Sequence, residues 1–312
     1  MIRIEQKEYR GWKNCLVLNN GTVELIILAD VGPRIIHYGF CGGENQFHEF
    51  DQQAGLTGGA EFRLYGGHRV WVWPEVESTY YPDNVAVEVI EIEGGISLAA
   101  PTERSSPGMS LRKYMAVRLS ESGTQVCVDH TLVNGGNAST RVAPWTPTVL
   151  NPGGRAILPF PPRIAMDKDH YQSVGPLALW SFTDFSDDRW KLGAEFLQLK
   201  QKPSPTGRFP EQMAGLFNPA EWGAYYRAGS LFLKRAIVIP GGTYPDHGCN
   251  FEIFTNPEFL ELETLGPTVE LAPGDSTLHT EHWWLFENVP PGEDDAWVRT
   301  AIVPLAEQTK QK

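Results

Sequence analysis

Glycine and proline punctuate this chain along its whole length, and that punctuation limits the folds open to it more than any other feature. Among 312 residues there are 31 Gly and 24 Pro. Turn signals recur about every ten residues, which leaves room for short strands and little for long helices. The segments between them read accordingly. Residues 23–29, Val-Glu-Leu-Ile-Ile-Leu-Ala, are apolar and β-branched, and the Asp-Val-Gly-Pro turn leads into a second strand over 34–39, a hairpin. Over 110–119 the alternation puts Leu111, Met115, Val117 and Leu119 on one face with Lys113. Over 125–134 His130 shares a face with Val126, Val128 and Leu132, which reads as a core histidine with a satisfied ring.

Further strands are expected at 180–183, 222–227, 231–240, 249–254, 259–264, 268–271 and 277–286, divided by Asn-Pro, Gly-Pro and Ala-Pro-Gly-Asp turns. Asn151-Pro-Gly-Gly and Pro159-Phe-Pro-Pro-Arg read as loops, and Asp184, Asp187 and Asp188 as a solvated acidic loop without the ligand spacing of an EF-hand. The tail after Pro291 alone looks helical. Glu293, Asp294 and Asp295 form its acidic first turn, and Pro304 should stop or kink it. No repeat of fixed period is visible, so the economical architecture is all-β, a large antiparallel sandwich forming one domain over residues 1–312. The run Lys202 to Phe209, with two prolines and a glycine, is the best linker candidate.

The 26 basic and 38 acidic residues give a formal charge of -12 without a basic run, so neither nucleic acid nor an anionic membrane is expected as a partner. The first eight residues carry charges and no apolar core, and no later stretch reaches 18 apolar residues. Cys15, Cys41, Cys127 and Cys249 lack the spacing of a zinc site or a disulfide scaffold. A soluble, unprocessed, cytoplasmic protein is the expectation.

Chemistry should gather between Tyr65 and Glu75, Tyr-Gly-Gly-His-Arg-Val-Trp-Val-Trp-Pro-Glu. Trp71 and Trp73 can stack on the C–H faces of a pyranose, while His68, Arg69 and Glu75 can bond its hydroxyls and move protons. The alternative is a strand whose tryptophans are core on one face. In Leu260-Glu-Leu-Glu-Thr, the two leucines should face the core and Glu261 and Glu263 the opposite side, as a repelling carboxylate pair or as a solvated outer face. Lys234 shares a face with Phe232, Ala236 and Val238, and should either snorkel or point into a pocket. His279 and His282 fall on opposite faces of a strand and cannot share an ion, and His247 with Cys249 and Asp246 suits a pocket wall better than a metal. No metal site is expected. There is no P-loop, nucleophile elbow or dinucleotide fingerprint, so no cofactor is expected either.

The chain resembles the galactose mutarotase-like, or aldose 1-epimerase-like, superfamily at three places. Ile27-Leu-Ala-Asp-Val-Gly-Pro-Arg-Ile-Ile is similar to the family's early strand and turn, and Tyr65-Gly-Gly-His-Arg-Val-Trp-Val-Trp-Pro to the block of hexose-6-phosphate mutarotase-like members. Leu260-Glu-Leu-Glu-Thr followed by Leu271-Ala-Pro-Gly-Asp resembles the Cys-Leu-Glu-Thr and Leu-x-Pro-Gly-Glu segments of mutarotases. The resemblance implies an antiparallel supersandwich with a sugar site on a concave face, where a glutamate takes the C1 hydroxyl proton and a histidine protonates the ring oxygen. Glu263 falls at the glutamate. Where mutarotases carry Asn-His-x-Tyr-Phe-Asn-Leu, this chain reads Ala143-Pro-Trp-Thr-Pro-Thr-Val-Leu, so the usual histidine is missing. His68 or His247 would have to replace it.

The expected activity is therefore anomer interconversion of an aldose or sugar phosphate, with Glu263 as base and His68 as acid in one shared pocket. Arg34, Arg69, Trp71, Trp73, Glu75, Lys234 and His247 would bind substrate. A non-catalytic carbohydrate-binding protein using the same pocket is the alternative.

Overall fold

The computed structural model describes residues 2–106, 109–202 and 210–310, with side chains omitted at 105 and 106. Two antiparallel sheets, of twelve and eleven strands, hold nearly all of the regular structure. The twelve-stranded sheet begins with the meander Arg3–Tyr9, Trp12–Asn19, Val23–Leu28 and Arg34–Phe40. It continues through His68–Arg69, Thr140–Leu150, Leu260–Leu265, Phe251–Thr255, Gln212–Leu216 and Leu177–Leu179. At the middle of the eleven-stranded sheet lie Trp222–Arg227, Ser230–Ala236, Ser276–Phe286, Val126–Asn134 and Met109–Leu119. The inner faces of both sheets contribute to one continuous hydrophobic cluster that includes Leu25, Ile35, Val117, Leu262 and Trp283.

Several local readings meet the structure directly. The expected early hairpin forms, with Val23–Leu28 paired to Arg34–Phe40 and a register shift between Ile26 and Ile27. The Gly66-Gly67 pair admits backbone rather than ligand: a Cβ on Gly66 would sit 2.0 Å from the His48 carbonyl oxygen, and one on Gly67 2.2 Å from that of Ile35. Both glycines also have positive φ, so no other residue fits this crossing of chain segments.

Other readings are corrected. Trp180 opens a turn, and the short strand lies just before it at Leu177–Leu179. Thr140–Leu150 is a central strand despite Pro144 and Pro147, whose missing N–H groups hide it from a pattern reading. Pro304 does not end the tail. It falls in the first turn of Val303–Gln308, after a wide π-helical stretch over Val298–Ile302, where a proline costs little. The tail packs on the outer face of the eleven-stranded sheet, with Trp297, Val298, Ile302 and Ala306 against Trp222, Leu231 and Leu233. Of the suggested linker, residues 203–209 lie outside the described residues.

Where the two sheets face each other, the core is not wholly apolar. Lys234, on the eleven-stranded sheet, is fully buried and pairs with Glu281 at 2.8 Å. The same ammonium donates across the gap to the carbonyls of Thr146 at 3.0 Å and Leu262 at 3.2 Å. Glu281 also accepts from Thr146 Oγ1 at 2.6 Å, from Thr264 Oγ1, and from Trp283 Nε1 at 2.8 Å. His68, His130 and His279 complete this seam. The His68 ring meets Thr148 Oγ1 at 2.8 Å and the His130 ring at 2.7 Å, while His130 Nδ1 reaches the His279 carbonyl at 3.0 Å. His279 Nε2 meets Thr264 Oγ1 at 2.7 Å.

Burial drives the pKa of all three histidines down, against the pull of Glu281; His68 falls well below its ordinary value and His279 to about 3. In the unfolded chain each has an ordinary value of about 6.5. The stability that these neutral rings contribute is therefore complete above pH 6.5 and is lost as the pH falls from there toward 3. The expected slope is about 1.4 kcal/mol per pH unit for each histidine that the unfolded chain protonates. Raised carboxyls such as Glu263 act in the opposite sense over the same range, so the seam is read by difference: on going from pH 7.5 to pH 5 in urea unfolding, His279→Gln should lose less stability than wild type, and the same change in both would contradict the neutral ring.

We also expect the whole chain to melt as one unit, because in the twelve-stranded sheet strands that follow 203–209 are inserted between strands that precede it. Thr140–Leu150 pairs with Leu260–Leu265, and Leu177–Leu179 with Gln212–Leu216. Calorimetry should show one transition with equal calorimetric and van't Hoff enthalpies. Fragments cut within 203–209 that melt independently would sink the single-domain reading.

Candidate functional site

Strand parity divides the residues of the twelve-stranded sheet between two environments. Across its centre His68 pairs with Thr148 and Thr148 with Leu262, so all three point to the inter-sheet core. The next row, Pro147 against Glu263 and Glu263 against Glu252, points the other way. Arg69 and Trp71 share that outer face with Glu261 and Glu263. Together these residues line a cleft of about 610 Å³.

The floor carries the carboxyls. Glu263 is 2 % exposed and accepts a hydrogen bond from Trp145 Nε1 at 2.6 Å. Its pKa is pushed well above the ordinary range, first by burial and then by the charge of Glu261. Glu261 is 9 % exposed, and its Oε1 has no hydrogen-bond partner. Burial raises its pKa too, but Arg69 opposes the shift. Glu252, behind Glu263, is raised well above the usual value by burial and by Glu263. Burial and the neighbouring Arg34 bring Arg69 down to about 10.

Aromatic side chains form the walls. The Arg69 guanidinium lies 3.7 Å from the Trp71 ring centre and 5.1 Å from that of Phe62. Trp71 stands 5.8 Å from Trp145 and 5.0 Å from Tyr80, and the Tyr80 hydroxyl donates to Glu75. Trp180, Phe182, Phe254 and Phe259 close the far side. Flat apolar faces around buried, underbonded carboxyl and guanidinium groups suit a small polyhydroxylated ligand.

Of the residues singled out from the sequence, Glu263, Arg69, Trp71 and Glu75 line this cleft. Trp73 lies on the same face but is half-buried, with its Nε1 bound to Asp246 at 3.2 Å. Four expectations are corrected. His68 cannot act with Glu263 in one pocket: it is a direct sequence neighbour of Arg69 on a strand, so it points to the opposite side of the sheet, fully buried in the seam. Lys234 neither snorkels nor enters the cleft, because its ammonium is held between the sheets by Glu281. Arg34 is fully buried beside Arg69, donating to the Leu64 and Gly66 carbonyls at 2.7 and 2.8 Å and to Asp83 at 2.9 Å, so it shapes the wall without reaching a ligand. His247 is exposed on a turn outside the cleft lining.

Trp145, Tyr80 and Phe62 were not anticipated. Trp145 lies opposite both Trp71 and Leu265, a pairing that depends on recognising Thr140–Leu150 as a strand.

Ligating atoms of His68, His130 and Glu281 all lie within 4.8 Å of one another, the one metal-capable group found among the described residues. Their hydrogen bonds explain the arrangement without an ion. With Nδ1 of His130 donating to a carbonyl, its Nε2 can accept from His68, and Lys234 already places a cation on Glu281.

No protein-family model matches the sequence, and no curated protein matches it. Solved structures do. A galactose mutarotase-like protein from Lactobacillus casei superposes with a TM-score of 0.59 at 10% identity, covering 88% of this chain and 100% of that one. A candidate aldose 1-epimerase from Klebsiella pneumoniae gives 0.57 at 11% identity, over 99% of this chain and 88% of that one. A galactose mutarotase-related enzyme from Lactobacillus acidophilus gives 0.53 at 8% identity, over 89% and 99%. At such identities the likeness speaks for architecture rather than activity. The chain has the galactose mutarotase-like fold, an all-β antiparallel supersandwich with a short C-terminal helix.

Proposed function

We propose that the outer cleft of the twelve-stranded sheet binds a monosaccharide and interconverts its anomers by acid/base ring opening. The observation that carries this reading is the position of Glu263. A buried carboxyl with a displaced pKa lies on the floor of an aromatic cleft, in the fold of structures described as mutarotase-like. The substrate in this reading is a neutral aldose rather than a sugar phosphate. Among the described residues that line the cleft Arg69 is the one cation, against Glu75, Glu211, Glu258, Glu261 and Glu263. A phosphate dianion there would meet like charge without the second arginine that the sequence suggested, since Arg34 is sealed away.

A second reading, a non-catalytic sugar-binding protein, draws on one observation. The segment that aligns with the mutarotase histidine supplies Trp145 and Pro147 to the cleft and no histidine, because Thr146 and Thr148 point into the seam.

Glu263→Gln keeps the size and the acceptor for Trp145 while removing proton transfer. Under the enzyme reading, turnover should drop roughly 100-fold or more, about 3 kcal/mol, with sugar affinity little changed. The measurement is polarimetry of freshly dissolved D-galactose and D-glucose anomers beside calorimetric titration. Wild-type exchange no faster than buffer, in protein that binds one of these sugars, would reject the enzyme for that set and leave the binding reading standing.

A further inference from the structure

We infer that Glu261 is the second proton-transfer group of the cleft, working with Glu263 on the two oxygens of a sugar's anomeric carbon. This rests on the anomer-interconverting reading above; it supplies the second group that the missing histidine leaves open and moves Glu263 from the expected base to the acid, with Glu261 as the base. No histidine lines the cleft among the described residues, so the groups that can exchange a proton with a bound sugar there are carboxyls and Tyr80. Tyr80 is held at the rim, donating to Glu75, and its hydroxyl is pushed up beyond the ordinary phenol range by burial and by that carboxylate.

Geometry favours the pair. Glu261 and Glu263 alternate with Leu260 and Leu262, which are fully buried in the core, so both carboxyls leave the same face of one strand. Two residues of strand separate their Cα atoms by about 6.6 Å. Glu261 is the freer of the two, with Oε1 unpartnered while Glu263 holds the Trp145 indole.

Their surroundings differentiate the roles. Arg69, two strands away across Thr140–Leu150, acts on Glu261 and favours its anion, helped by Arg34 and Lys234 and opposed by Glu75. Around Glu263 the charges are mostly negative: Glu261 and Glu75 act on it directly and Glu252 faces it across adjacent strands, while the Trp145 hydrogen bond, Lys234 and, less than at Glu261, Arg69 oppose them. Glu211 and Glu258 add negative charge at the mouth. The pair therefore carries one proton, on Glu263.

In the forward step Glu261 takes the proton of the C1 hydroxyl as the C1=O bond forms. The C1–O5 bond breaks, its electron pair goes to the ring oxygen, and Glu263 delivers its proton there. After rotation about C1–C2 the ring oxygen attacks the other face of the carbonyl. Glu263 recovers its proton and Glu261 returns the other to O1. Both carboxyls end as they began, and no co-reactant is consumed.

The test uses the full-length protein, with polarimetry of D-galactose and D-glucose anomers from pH 4 to 9 and calorimetric titration of the same sugars. Wild-type turnover should be bell-shaped in pH, with the acid limb set by Glu261 and the alkaline limb by Glu263. Glu261→Gln should lose roughly 100-fold or more in kcat and the acid limb, with sugar affinity within a few-fold of wild type. Glu261→Ala should regain turnover in added formate, which a structural side chain would not. Wild-type-like turnover of Glu261→Gln, or loss of binding and turnover together with no formate rescue, would overturn the role of Glu261 and leave the mutarotase-type reading intact. No exchange by the wild-type protein above buffer would overturn both.

Discussion

A single lysine ties the two sheets of this molecule together. Lys234 binds Glu281 within its own sheet and reaches across to the backbone carbonyls of Thr146 and Leu262, residues of the two central strands opposite. A buried ammonium and a buried carboxylate are each costly to desolvate, and the arrangement persists because nearly every lone pair and proton has a partner. Thr146, Thr264 and Trp283 complete the shell of Glu281, and three neutral histidines extend the seam. The sheets are thus held at one spacing and in one register by directional bonds as well as by the apolar cluster around them.

That registry has a consequence on the other side of the sheet. Leu262, whose carbonyl Lys234 holds, lies between Glu261 and Glu263, and Thr146 lies between Trp145 and Pro147. Fixing the inner residues of both strands fixes the outward direction of the residues between them. The floor of the cleft is therefore the reverse side of the seam, a rigid mount for a pair of carboxyls. Field reaches through as well: Lys234 lowers the pKa of both glutamates against their burial. Inner polar groups are satisfied and closed to solvent, whereas outer ones retain unpartnered atoms, among them Glu261 Oε1, Arg69 Nε and Trp71 Nε1.

Period-two alternation made the strands after residue 220 legible in the sequence, though not Gln212–Leu216, together with the outward pairing of Glu261 and Glu263 and the core position of His130. It also determined that His68 and Arg69 must part company, a consequence of adjacency on a strand that grouping them by composition overlooked. Thr140–Leu150 was not legible, because Pro144 and Pro147 contradict a central strand unless its partners are known. With that strand unread, Trp145 could not be set beside Glu263, and Thr146 and Thr148 could not be set in the seam. Lys234 was found on the correct face, but its partner Glu281 lies on a neighbouring strand 47 positions later and is visible only through the pairing of Lys234 with Trp283. Arg34 and Arg69 have the same residue type and opposite fates, decided by the 64–66 backbone and Asp83 that cover the first.

The central claim, that the outer face of this sheet is the sugar site and the inner seam is structural, is tested most directly by a crystal structure with D-galactose bound. The account predicts a pyranose ring against the Trp71 indole, with O1 and O5 within hydrogen-bond reach of the Glu261 and Glu263 carboxyls and the seam of His68, Lys234 and Glu281 unchanged. A sugar seated elsewhere on the molecule, or bound in the cleft with neither carboxyl contacting the anomeric centre, would contradict it.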